Sequence, residues 1–124
     1  MGFTRYWDRT DEPITAVFVS FVKEVIDDCE KRGITICGGD GSGKPYIETD
    51  AICINGNGKK NLDHDTFYIG PATGFNFCKT ARKPYDYAVK TILDEAQSYG
   101  LVRDVSSDGG CFFKTDAEFN DYRR

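Results

Sequence analysis

The sequence predicts an α+β fold in which one antiparallel or mixed sheet of about five to seven short strands carries two amphipathic helices on one face, with a short helix at the C-terminus. Three observations lead there. Two stretches repeat apolar residues at a spacing of three and four, the period of a one-sided helix. Between them lie short β-rich runs separated by Gly, Asn, Asp and Pro clusters. The links between those runs have hairpin length, too short for the crossovers that parallel strands need. A chain of 124 residues can bury roughly two thirds of its unfolded surface, so residues 1–124 are expected to form one α+β domain.

Taken in order, FTRYW near the start reads as a strand that puts Arg5, Trp7 and Arg9 on one face and Tyr6 on the other. A helix follows from about Pro13 to Lys31, with Asp11 as N-cap, Pro13 in the first turn and Gly33 as the stop. Its stripe is Ile14, Val17, Phe18, Phe21, Val22, Val25, Ile26 and Cys29. Five strand-like runs come next: ITIC from Ile34, PYIE from Pro45, AICIN from Ala51, TFYI from Thr66 and FNFCK from Phe75. The Thr49-Asp50 step reads as a tight turn between two of them. The second helix starts at Pro84 and ends before Gly100, with Tyr85, Ala88, Val89, Ile92, Leu93, Ala96 and Tyr99 on one face. LVRDV from Leu101 reads as a further strand. Thr115 with Glu118 three residues on forms a capping box, which predicts the terminal helix.

The formal net charge of -4 argues against general binding to duplex nucleic acid, which requires a basic face. No apolar run approaches the length of a membrane span and GFTRYWDR is no signal sequence, so the expected location is the cytoplasm. The five cysteines, Cys29, Cys37, Cys53, Cys78 and Cys111, include no CxxC pair. They read as buried thiols in a reducing compartment, and no metal or cofactor is expected.

GGDGSGKP, Gly38 to Pro45, stops one residue short of a phosphate-binding loop, because Pro45 stands where a Ser or Thr hydroxyl would hold Mg²⁺. No helix pattern follows it. A glycine-rich connection between strands is the better account. CKTARKPYD, Cys78 to Asp86, sets Lys79, Arg82 and Lys83 just before a helix whose N-terminus is already positive. Either an external phosphate or carboxylate answers them, with Thr80 as an extra donor, or an internal acid such as Asp86, Asp63 or Asp65 does. His64, the sole histidine, lies between Asp63 and Asp65 and reads as a ligand residue, a structural hydrogen-bonder or a general base. Arg5, Tyr6 and Trp7 combine cation and aromatic, a pairing that stacks on a base, anchors a partner or covers a sheet edge.

With GFTRYW, GGDGSGKP, DHDTF, FCKTARKPYD and VSSDG in view, the chain resembles a family of small proteins found in bacteriophage and bacterial genomes, over Gly2 to about Gly109. The resemblance carries over no activity and no site residues. It implies an accessory gene of phage origin, among which small non-enzymatic inhibitors of host defence are common.

The leading expectation is a non-enzymatic binding protein, itself oligomeric, that holds a phosphate-bearing small ligand such as a nucleotide signal. Lys79, Thr80, Arg82, Lys83, His64, Tyr6, Trp7 and Arg5 are its candidate ligand-binding residues. The alternatives are a protein-interaction inhibitor of a host factor and a phosphoester-acting enzyme that uses His64.

Overall fold

A computed structural model describes residues 2–109 and Asp116. The expected helix after Thr115, and Cys111, lie outside the described residues. Among the described residues, six strands and two α-helices run in the order β1 (Thr4–Arg9), α1 (Ala16–Lys31), β2 (Tyr46–Ile47), β3 (Ile52–Ile54), β4 (Phe67–Ile69), β5 (Gly74–Lys79), α2 (Asp86–Ser98) and β6 (Val102–Ser107). The fold is α+β and its strand pairs are antiparallel.

The single expected sheet is corrected to two sheets of three strands, β5-β1-β6 and β2-β3-β4. The break falls between β4 and β5, which are separated by the run GPAT from Gly70 to Thr73. Pro71 has no N–H to continue a ladder, and the Gly70 carbonyl is taken by Arg9 Nε at 2.8 Å. That bond ties the link between the two sheets to β1. One core cluster draws on both sheets and both helices, including Trp7, Phe18, Val22, Ile52, Phe67, Val89, Ile92 and Val102. Trp7 and Phe67 join the sheets across it, with ring centroids 5.3 Å apart.

Helix α1 begins later than expected, because Thr15 is the cap and its hydroxyl accepts from Phe18 N at 3.2 Å. Its end matches the expectation. Gly33, at φ 80°, lets its own N–H reach Glu30 O at 3.1 Å and Ile34 N–H reach Cys29 O at 2.8 Å. The same closure ends α2, where Gly100 and Leu101 donate to Gln97 and Ala96 at 3.0 and 2.9 Å. Ile34 is therefore committed to a helix cap, and of the expected ITIC strand just Cys37 pairs, in an isolated bridge to Asn55. The Thr49-Asp50 turn joins β2 to β3 with Glu48 N–H on Ala51 O at 3.0 Å.

Candidate functional site

Strand β1 has the expected parity: Arg5, Trp7 and Arg9 are buried on the inner face while Tyr6 and Asp8 lie on the outer one. Arg5 and Trp7 are 7% and 2% exposed, so neither side chain lies on the outer surface. Arg5 Nε and Nη2 donate to the two Asp86 oxygens at 2.7 and 2.8 Å, and Thr80 Oγ1 donates to Oδ1 at 2.6 Å. Asp86 is the first residue of α2 and is fully buried. An internal carboxylate thus sits where a bound anion was expected.

The backbone N–H groups at the start of α2 are also occupied. Asp86, Tyr87 and Ala88 donate to the carbonyls of Lys83, Pro84 and Tyr85 at 2.8, 3.1 and 3.0 Å. The loop leading in is shaped by Ala81 and Arg82, both left-handed at φ 55° and 58°. That turn sends the neighbouring cations apart. Arg82 lies over the Phe3 ring at 4.8 Å and reaches Gly109 O at 3.2 Å. Arg5 lies 5.0 Å from the same ring. Lys83 Nζ donates to the carbonyls of Asn61 and Asp63 at 2.9 and 2.8 Å.

His64 Nδ1 lies 2.7 Å from Lys79 O. A carbonyl can only accept, so Nδ1 carries the proton and anchors the ring to β5. Asp65 Oδ1 is 3.7 Å away. The nearby Cys78 thiol is pushed up to about 12, mainly by burial. A protonated thiol is no partner for a Cys-His nucleophile. Among the described residues no group of three or more His, Cys, Asp or Glu is placed to hold a metal ion, and no helix is long and apolar enough to cross a membrane.

The glycine-rich loop runs into β2, not into a helix. It is packed from beneath by Asn55, a buried hub with every polar group engaged: Nδ2 donates to Gly39 O and His64 O at 3.0 and 2.9 Å, and Oδ1 accepts from Gly56 N and His64 N at 2.8 and 3.0 Å.

The outer face of the β5-β1-β6 sheet is built differently. Phe75 and Phe77 are 65% and 54% exposed, large values for aromatic rings on a strand. Tyr6 stacks with Phe75 at 6.1 Å, and Phe75 lies 6.3 Å from Phe77. Tyr6 also donates its hydroxyl to Asp108 at 2.8 Å. Among the described residues strand β5 is an edge. Its Lys79 end is closed by Asp65, whose N–H donates to Lys79 O at 3.1 Å and whose carboxylate accepts from Lys79 N at 3.1 Å. In an antiparallel ladder alternate residues face the same side, so the N–H and C=O groups of Phe75 and Phe77 point to that same free edge.

No family model, no curated protein and no solved structure matches this chain. The sequence gives no role to Phe75, Phe77 or Asn55, and Arg9 is noted there just for sharing a face with Arg5 and Trp7. A signal for the phenylalanines existed in FNFCK, where alternation forces either both rings or Asn76 and Cys78 outward. Pairing with β1 settles it, since Cys78 is buried opposite Arg5.

Proposed function

We propose that this chain is a non-enzymatic protein-binding module whose contact surface is the outer face of the β5-β1-β6 sheet and the free edge of β5. The observation that carries the proposal is the side-by-side exposure of Phe75 and Phe77 on an edge strand. Exposed aromatic clusters of this kind mark partner contacts, and proteins ordinarily blunt such edges. Strand β6, the opposite edge, is blunted: it carries Arg103, Asp104 and serines, and Asp104 at φ 54° distorts it. The chemistry suits an extended segment that adds to β5 and covers its rings with alternate apolar side chains, with an acid to meet exposed Lys79.

Tagged wild-type protein should retain one stoichiometric partner from host lysate, and a Phe75→Ser, Phe77→Ser variant should retain none. Sedimentation of the purified protein separates a second copy of this chain from a different protein. The phosphate-bearing ligand is the competing reading, and it ranks second because Arg5, Arg82 and Lys83 are engaged within the fold. Saturable nucleotide binding that an Arg82→Ala, Lys83→Ala variant loses would reverse that order.

A further inference from the structure

The two inward arginines of β1 are treated differently. Arg5 is answered by Asp86. Arg9, 6% exposed, forms no ion pair with a carboxylate among the described residues. Its Nε donates to Gly70 O at 2.8 Å, and Nη1 donates to the carbonyls of Thr10, Glu12 and Leu101 at 2.6, 2.8 and 3.2 Å. Nη2 makes no hydrogen bond within that set. Burial weakens the hold of Arg9 on its proton, while Asp11, beyond ion-pair distance, opposes the change. A buried cation with no carboxylate within ion-pair distance is costly. Two residues away, Trp7 is 2% exposed and its indole N–H has no acceptor among the described residues. Buried donors are rarely left so.

Trp7 and Arg9 line one cavity of about 50 Å³, with Tyr68, Gly70 and Asn76. A side-chain carbon at Gly70 would strike the Tyr68 hydroxyl, so that hydroxyl also sits against the cavity wall. Among the described residues no Asp or Glu lines the space. A water requires roughly 10–15 Å³, so there is room for a few waters or one small anion and none for a nucleotide. A positive charge, donors and no acid together select an acceptor of negative charge.

We infer that this cavity is a binding site for a small monovalent anion, either a carboxylate group or an inorganic ion of similar size, held by the Arg9 guanidinium and the Trp7 indole N–H. It stands apart from the aromatic outer face, because Trp7 and Arg9 occupy the opposite side of β1.

Trp7 is the chain's one tryptophan, so its emission reports on the cavity directly. The test titrates sodium formate, nitrate and chloride into the full chain in HEPES, with ionic strength held constant by the buffer salt. A saturable emission change with at least one of them is expected, and formate against chloride distinguishes a carboxylate site from a halide site. Asn76→Asp would place an internal carboxylate on the cavity wall and should abolish the response while circular dichroism stays native. Two results would overturn the inference: no saturable change with any of the three anions in the wild type, which leaves a cavity for water only, or an undiminished response in folded Asn76→Asp.

Discussion

Arg5 and Asp86 form a two-pronged ion pair in the core, joining the first strand to the first residue of α2 across 81 positions of sequence. Asp86 does two things there. It favours the positive helix N-terminus, and it neutralises Arg5, whose Nε and Nη2 both find its carboxylate. Asp86→Ala leaves Arg5 buried without its partner, and a loss of about 3–5 kcal/mol is expected. Urea unfolding checks this. Thr80→Val should cost less, about 1–2 kcal/mol, because Arg5 remains paired.

Gly56 offers a second test of the packed loops. A side-chain carbon there would lie 2.0 Å from Leu62 O, a backbone atom that cannot swing aside. Gly56→Ala should destabilise the chain by about 1–3 kcal/mol. The same change at Gly43, which meets nothing within 4 Å but sits at φ 66°, tests backbone conformation alone. Thermal melts of the two variants separate the effects.

Thiol reactivity gives the pH dependence. Burial raises Cys29 and Cys78 from an ordinary 9.0 to about 12. Between those values the unfolded thiols ionise while the folded ones stay protonated. Their contribution to stability is therefore whole below pH 9 and is lost as pH rises from about 9 to about 12. A thiol reagent at mildly alkaline pH should label Cys53, which is partly exposed, ahead of Cys29 and Cys78. Mass spectrometry of timed samples reads the order.

The helices and most strands could be read from the chain because their signals are local. The stripe of α1 and the glycines at 33 and 100 specify one face and one stop, whatever surrounds them. The division into two sheets could not be read this way. At the break between β4 and β5 Arg9 reaches Gly70 across 61 residues of sequence, and no spacing rule encodes that reach. The cationic block behaves likewise. Lys79, Arg82 and Lys83 look like one patch in sequence, but two consecutive left-handed residues turn them toward different partners. The sequence offers Asp86 as an internal answer to those charges, and in the structure it pairs with Arg5 instead.

Phe75 and Phe77 have little to do with holding the fold, since both rings are exposed. Phe75→Ser with Phe77→Ser should change stability by no more than about 1 kcal/mol. Superimposable urea curves for wild type and variant would show that any loss of binding comes from the surface itself.

Hydrogen exchange on the purified complex of this chain with its captured partner tests the central claim most directly. Slowed exchange at the amides of Phe75 and Phe77, with β6 unchanged, is the predicted result. Slowing confined to residues 79–83, with the β5 edge as fast as in the free chain, would contradict it.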